Sequence, residues 1–367
     1  MTIYIVLLGI LFVFTMLYDK KFSGKQKKSA LRLCGFLMFV LFLIAALRNN
    51  VGTDYANYKQ AFEYYLAGIN PTWFNFEKGF IFLINLFMAL KLDLQIWFAA
   101  FAGIIMYFTF RSYKKSSLNV MFSIYLYFAL YFYFGSLNVV RQFIALSFVL
   151  CAIGALIKKQ YFKYIVWILL ASLFHTTALI MLPFALIAAH KSRIPAYVWA
   201  GLSVLFVAFF AKPLMSFLAM LLPKYASYLN YSGGGASVNL IISVAMLLLL
   251  DLAGKRIQRM DTLPQIGNEL YSDRKNVNRM MAIFENASIF SICFYSLAST
   301  NTLFSRIAMY FYIVGTLSIP FAVYFAFGKR KGLTKFTICL ICAAVCVYYL
   351  MGNNSGVVPY NWIFTQS

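Results

Sequence analysis

Long apolar stretches separated by short charged segments make up most of this 367-residue chain. A helix needs about 20 mainly apolar residues to cross a bilayer, so the pattern predicts an all-α, polytopic integral membrane protein with a single transmembrane domain over 1–367. We predict about twelve spans, near residues 2–18, 31–47, 94–110, 118–134, 139–157, 161–175, 176–190, 195–212, 238–253, 284–300, 304–327 and 333–350.

Three polar regions stand out between the predicted spans, and one of them is residues 223–237. Residues 48–93 are predicted to form an outer loop, and residues 254–283 a cytoplasmic loop. Within the outer loop, the apolar part of 77–90 is too short for an easy crossing. Counting it as a span would also place the basic residues near 111–115 outside. We therefore interpret it as a re-entrant or interfacial helix.

The strong positive charge is explained by membrane topology. The net charge is +22, although only 11% of the residues are charged and 63% are hydrophobic. Placing the short basic loops in the cytoplasm puts 24 of the 32 Lys and Arg residues there, as the positive-inside rule predicts. A nucleic-acid partner is therefore not needed, and none is predicted.

Three arginines depart from this cytoplasmic pattern, because Arg48, Arg141 and Arg306 lie where predicted spans meet the outer face. Arg141 is the one formal charge in residues 118–157. A charge at membrane depth is unfavourable unless it is paired or hydrated. A guanidinium is a fixed cation whose planar fork suits phosphate oxygens, so three converging arginines would clamp a diphosphate. Alternatively, they extend to lipid headgroups or pair with the outer acids Asp54, Glu63 and Glu77.

Candidates for acid–base chemistry lie on the same side. His175, in SLFHTTAL, could act as general base toward a hydroxyl or be a hydrogen-bonded packing residue. Asp54 could orient a base or a sugar hydroxyl, or form an Asx-turn or a salt bridge to Arg48. Glu77 suits the N-terminal dipole of a helix as well as catalysis. No paired outer acids of DxD type are present to hold Mg²⁺, and no metal or other cofactor is predicted.

Six short motifs follow one another along nearly the whole chain. They are R-N-N-V-G-T-D-Y-x-x-Y at 48–58, Glu77 before a short apolar helix, N-x-x-R-Q at 138–142, F-H-x-x-A-L at 174–179, R-x-x-x-Y at 306–310 and the pair Pro359-Tyr360. In this order and spacing they resemble the EpsG family, which belongs with the Wzy-like polymerases of bacterial exopolysaccharide and capsule. Residues 238–283 contain no motif that resembles this family.

The resemblance implies a GT-C-like glycosyltransferase of the bacterial cytoplasmic membrane that joins lipid-linked oligosaccharide repeat units at the outer face. Donor and acceptor would be oligosaccharides on undecaprenyl diphosphate. The other partners to expect are membrane lipids and, as candidates, a chain-length regulator or export machinery. Arg48, Arg141 and Arg306 would hold the diphosphate, and His175, supported by Asp54, would deprotonate or position the acceptor hydroxyl. The residues given a supporting role toward the glycan are Tyr55, Tyr58, Glu77, Asn138, Gln142, Tyr310 and Tyr360.

Three other functions remain open at this level. A flippase or transporter of lipid-linked glycans would also use arginines, but such proteins usually show repeat symmetry, and none is visible here. A membrane acyltransferase could use His175. A glycan ligase would share the chemistry and differ only in its acceptor.

Overall fold

The computed structural model describes residues 1–18, 25–69, 71–192, 194–221, 236–264, 269–271, 273–298 and 301–364. This portion of the chain is all-helical, with 81% helix and no strand within it. The one extended pairing among these residues is an isolated antiparallel bridge between Arg48 and Trp362. The predicted all-α class is confirmed.

Sixteen α-helices are described. They are α1 Thr2–Tyr18, α2 Lys25–Ala46, α3 Tyr55–Leu66, α4 Lys78–Ala89, α5 Leu94–Ser116, α6 Val120–Ala129, α7 Phe132–Ser136, α8 Val140–Ile157, α9 Tyr161–Ser172, α10 Met181–Ala188, α11 Ala196–Leu221, α12 Ala236–Gln258, α13 Arg274–Ala298, α14 Thr302–Tyr312, α15 Gly315–Phe327 and α16 Lys331–Gly352. Short 3₁₀ turns lie at Thr72–Phe74, Thr176–Ile180, Glu269–Tyr271 and Gly328–Arg330.

Six of the described helices are long and apolar enough to cross a membrane: most of α2, and α5, α8, α12, α13 and α16. If the bent pair α14 and α15 is counted as one span, the number of candidate spans is seven. The chain is thus a membrane protein by this criterion, whereas the number of twelve crossings stays a prediction. Several predicted spans correspond to helices that are too short to cross a bilayer alone. Helix α9 has 12 residues and α10 has 8, and each residue adds only about 1.5 Å of length.

Two predicted spans are broken within the described chain. The span at 118–134 divides into α6 and the five-residue α7, because Tyr131 adopts a left-handed backbone conformation with φ 71°. A non-glycine residue in that conformation cannot continue a right-handed helix. The span at 304–327 divides into α14 and α15, which are bent by 47°.

The helices also occupy stretches of the predicted loops. The short apolar helix expected within the outer loop is α4, whose 12 residues extend about 18 Å, well short of the roughly 30 Å hydrocarbon core. The same loop contains α3, an amphipathic helix that was not predicted. Helices also occupy both ends of the predicted cytoplasmic loop 254–283, because α12 continues to Gln258 and α13 begins at Arg274.

The described helices pack into two compact units. The first contains residues 1–155, 161–179 and 332–367; within it α2 packs on α5, and α6 packs on α1, α2 and α5. The second contains residues 156–160 and 180–331; within it α13 packs against α10, α11, α12 and α14, and α12 packs on α15. Whether they act as one membrane domain stays a prediction.

Candidate functional site

A single carboxylate joins the two most informative residues of the sequence. Glu77 directly precedes α4, and its Oε2 accepts a short hydrogen bond from Nη1 of Arg141. Its other oxygen, Oε1, lies 3.1 Å from Nδ1 of His175. Three residues from different segments of the first unit therefore form one charged group, called here the Arg141–Glu77–His175 cluster.

In the neutral form of the His175 imidazole, the carboxylate determines which ring nitrogen carries the proton. An ionised carboxylate only accepts hydrogen bonds, so Nδ1 of the imidazole is the donor to Glu77. The lone pair is then on Nε2, which is buried and has no hydrogen-bond partner among the described residues. A histidine oriented by an acid, with its second nitrogen unoccupied, is the arrangement of a general base.

Arg141 lies on an aromatic platform. Its guanidinium carbon is 4.9 Å from the ring centroid of Phe76 and 6.0 Å from that of Phe80, which are cation–π distances. The main-chain carbonyl of Asn75 accepts a further bond at 3.5 Å. The side chain is 25% exposed, so it is held in place and stays partly accessible.

A close helix contact brings Glu77 and His175 together. The backbone amide of Gly79, in the first turn of α4, donates to the carbonyl of Leu173 at 2.9 Å. A Cβ at residue 79 would lie 2.7 Å from Cβ and 2.8 Å from the carbonyl oxygen of Leu173. Only glycine permits this approach. The Glu77 side chain makes no capping bond to α4, so its oxygens serve Arg141 and His175 instead.

Two opposing effects act on the ionisation of Glu77. Burial of the carboxyl group favours the neutral form, but the hydrogen bond from His175 and the charge of Arg141 outweigh burial. The pKa of Glu77 is therefore lowered. At neutral pH the site contains an ionised carboxylate between a fixed cation and an imidazole.

Asn138 connects the surroundings of the cluster to the predicted outer loop, residues 48–93. Its Oδ1 accepts from the hydroxyl of Thr53 at 3.0 Å and from the backbone amide of Asp54 at 3.4 Å. Its Nδ2 donates to the carbonyl of Ser355 at 3.0 Å. Asn138 precedes α8, and Arg141 is in the first turn of that helix. One buried amide thus fixes the outer loop and the C-terminal segment relative to the start of α8.

Asp54 ends the irregular stretch of the loop. It occupies the N-cap position of α3 but makes no side-chain capping bond. It is in no ion pair with another described residue, so the predicted alternatives of an Asx cap and a bridge to Arg48 are not seen. Its carboxylate is partly exposed and could contact a ligand.

Arg48 is buried, with 3% of its area exposed. Nη1 donates to the carbonyl of Leu137 at 2.5 Å, and the guanidinium lies 4.8 Å from the ring centroid of Phe98. Burial lowers the pKa of Arg48 to about 10, an effect partly offset by neighbouring tyrosines, so it stays charged at neutral pH. Its backbone pairs with Trp362. In this conformation Arg48 braces the loop and has little exposed surface for a ligand.

The predicted supporting residues of the first unit are buried or partly buried. The ring of Tyr55 stacks on Phe98 with centroids 4.6 Å apart. Tyr58 lies beside Arg141; burial raises the pKa of its phenol, and the guanidinium opposes that shift. The hydroxyl of Tyr360 donates to the carbonyl of Ile44 at 2.7 Å. Gln142 is buried.

Arg306 and Tyr310 are on α14, in the second unit. Arg306 is exposed and Tyr310 is buried, which is the pattern of an amphipathic helix. The structure describes them within that unit and does not test their predicted partnership with Arg141. In the described ranges, no group of three or more His, Cys, Asp or Glu side chains could hold a metal ion.

Glu77 lies at the centre of the cluster, whereas the sequence predicted for it a supporting role toward the glycan. Phe76, Phe80 and Gly79 were not predicted to belong to the site at all. One signal was available: the chain has only ten acids, and Glu77 stands immediately before an apolar helix.

The membrane-length helices and the fold define the class of protein as a polytopic α-helical membrane protein. A family model narrows this class. The model of the EpsG family matches residues 31–362, nearly the whole chain, and the chain belongs to this family of Wzy-like polymerases. The predicted resemblance is confirmed. No curated protein and no solved structure matches the chain.

Proposed function

We propose that this protein polymerises polysaccharide by transferring glycan chains between lipid-linked oligosaccharide repeat units. Family membership supports a Wzy-like, glycosyltransferase-type polysaccharide polymerase. The observation that carries the finer proposal is the Arg141–Glu77–His175 cluster. It combines an accessible fixed cation, suited to an anionic leaving group, with an acid-oriented imidazole suited to a hydroxyl nucleophile.

The reaction requires a leaving group and a base. The acceptor hydroxyl oxygen bonds to the anomeric carbon, the bond from that carbon to the diphosphate breaks, and the hydroxyl proton passes to Nε2 of His175. Undecaprenyl diphosphate leaves with its negative charge, which Arg141 stabilises. Glu77 stabilises the imidazolium that forms. Because Nε2 is buried, the acceptor has to displace the side chains that cover it.

The other predicted residues complete the proposal. Arg48 and Arg306 contribute positive charge toward the diphosphate, and Asp54 supports the site. The residues that position the glycan are Tyr55, Tyr58, Asn138, Gln142, Tyr310 and Tyr360. Fixed cations stabilise the leaving group without a metal ion, so the proposed enzyme is metal-independent.

The proposal also includes the setting of the reaction. The enzyme has twelve spans in one GT-C-like domain and works at the outer face of the bacterial cytoplasmic membrane. Its donor and acceptor are both undecaprenyl-diphosphate-linked repeats. A chain-length regulator or export machinery would act on its product. Positive-inside topology supports this orientation, because it places the cluster's segments on the outer side.

The direct test incubates the purified full-length protein with lipid-linked repeat units and looks for a ladder of products. We expect Arg141→Lys and Arg141→Ala to abolish elongation, since lysine keeps the charge but loses the planar fork. His175→Ala should lower turnover by roughly 10²–10⁴-fold, the usual contribution of a general base. Lys59→Ala is the matched control, because Lys59 is an exposed cation of the same outer region.

Each outcome decides one element of the proposal. Full-length polymer with Arg141→Ala would exclude the diphosphate role, and unchanged turnover of His175→Ala across pH would exclude the base role. Movement of the lipid-linked repeat across the bilayer without a ladder would select a transporter instead.

A further inference from the structure

A cleft of mixed polarity lies within the second unit. It consists of a polar cavity of about 220 Å³ and an apolar cavity of about 670 Å³. The two cavities share lining residues, among them His190, Trp199 and Asn286. The larger volume is in the range of about 300–1,000 Å³ that is usual for small-molecule sites.

The polar cavity is electrically balanced. Lys255 and Asp251 form an ion pair at 2.6 Å, one helical turn apart on α12. Each therefore compensates the other, which leaves Lys191 and Glu285 as the remaining charges of opposite sign. Glu285 is in no salt bridge within 4.0 Å of another described residue, although the charge of Lys191 acts on it. The polar cavity thus offers a cation and a carboxylate to a ligand.

Glu285 is in an unusual position for an acid. It is the one acidic residue of α13, a helix long and apolar enough to span a membrane. Ionisable residues within such helices are rare and usually have a functional partner. The adjacent residue, Asn286, donates from Nδ2 to the carbonyls of Ile187, Ala188 and His190, each at 3.0 Å. The wall beside Glu285 is therefore fixed in shape.

The apolar cavity leads away from the polar cavity along exposed hydrophobic side chains. Leu202 and Phe206 of α11 are 49% and 53% exposed, and they line the apolar cavity together with Phe290 and Cys293 of α13. Trp199 stands where the two cavities meet, and its Nε1 donates to the hydroxyl of Ser192 at 3.0 Å. Tryptophan with one polar and one apolar contact is typical of the membrane interface.

We propose that this cleft binds a phospholipid with a zwitterionic amine headgroup, a phosphatidylethanolamine. The phosphate contacts Lys191, the ammonium contacts Glu285, and one acyl chain fills the apolar cavity. An anionic lipid would leave Glu285 without a cation, and the described lining of the polar cavity carries no excess positive charge. A diacylglycerol would offer no charge to either Lys191 or Glu285. By loop charge the cleft is in the cytoplasmic leaflet.

The test measures lipid retention by the purified full-length protein, using native mass spectrometry with phosphatidylethanolamine and phosphatidylglycerol as probes. We expect the protein to retain phosphatidylethanolamine over phosphatidylglycerol by roughly tenfold or more, the equivalent of one hydrogen bond to a charged group. Glu285→Gln should remove this preference and Glu285→Lys should reverse it. Glu63→Gln, at a position on α3 in the other unit, should leave it unchanged.

A second variant addresses the apolar cavity. Leu202→Trp places a bulky ring at an exposed position, where it should block the acyl chain without disturbing the core, so retention of both lipids should fall. Equal retention of the two lipids by the wild-type protein, or a preference unchanged by Glu285→Gln, would overturn the proposal. Photo-crosslinks from the lipid acyl chain that map outside residues 187–293 would do the same. None of these results depends on polymerase activity.

Discussion

Gly79→Ala tests the geometry of the site without changing any of its chemical groups. The added methyl carbon would lie 2.7 Å from Cβ and 2.8 Å from the carbonyl oxygen of Leu173. Ordinary contact begins at 3.4 Å, and neither atom is at the end of a flexible side chain. The first turn of α4 must therefore move away from the end of α9, and Glu77 moves with it.

The size of the effect follows from this displacement. The bond from the amide of Gly79 to Leu173, now 2.9 Å, would stretch, as would the 3.1 Å contact between Glu77 and His175. Overpacking typically destabilises by about 1–3 kcal/mol. A misplacement approaching 1 Å at a reacting group can lower the rate by roughly 10²-fold. We therefore expect a modest loss of stability and a large loss of polymerisation.

The assay compares product ladders and thermal unfolding in detergent for the wild type, Gly79→Ala and a control. Gly9→Ala is the matched control, because Gly9 is also a helical glycine of the first unit but has no atom within 4 Å of the added methyl. Alanine there should raise helix stability slightly and leave the ladder unchanged. A normal ladder from stably folded Gly79→Ala would refute the inference that this helix contact positions Glu77.

Three further changes give separate tests. The pKa of Glu77 is lowered in the folded protein, so the ionised carboxylate stabilises the fold above the unfolded-state pKa, and this stabilisation is lost as pH falls through the folded-state pKa. Glu77→Gln should therefore destabilise the protein by about 1–3 kcal/mol at neutral pH. Thermal unfolding should show that the difference between the variant and the wild type becomes smaller in strong acid. Asn138→Ala should cost about 1–3 kcal/mol, measured by the same unfolding, since it removes the hydrogen bonds that this buried amide makes to Thr53, Asp54 and Ser355. Arg48→Lys loses the geometry of the Leu137 bond and the Phe98 contact, so limited proteolysis should cleave the predicted outer loop faster than in the wild type.

The positions of the helices could be predicted because apolar runs report directly on burial in lipid or protein. Each predicted span overlaps a described helix or pair of helices, although α3 was not predicted. The breaks could not be predicted. Tyr131 is one of several aromatic residues in an apolar run, and its left-handed backbone depends on packing around it rather than on its own preference.

The site was predictable only to a limited extent, for a similar reason. Hydropathy predicted that Arg141 and His175 both lie at the outer boundary of their spans. Glu77, however, is 64 residues from Arg141 and 98 residues from His175 along the chain. A local pattern contains no information about contacts at that separation. Arg48 was also difficult to predict. Its position at the end of a predicted span suggested an accessible side chain, but its backbone pairs with Trp362 of the C-terminal segment and its side chain is buried.

Glu77 contacts its two partners through different oxygens, and this separation affects how the proposed reaction would proceed. A diphosphate that binds Arg141 has to displace only Oε2, because the contact to Nδ1 of His175 is made by Oε1. The arginine can therefore change partner while the imidazole keeps its orientation and its proton on Nδ1. The carboxylate then has one cation left to balance, the imidazolium that forms when Nε2 takes the hydroxyl proton. Binding of the donor and activation of the acceptor thus do not compete for the same atom.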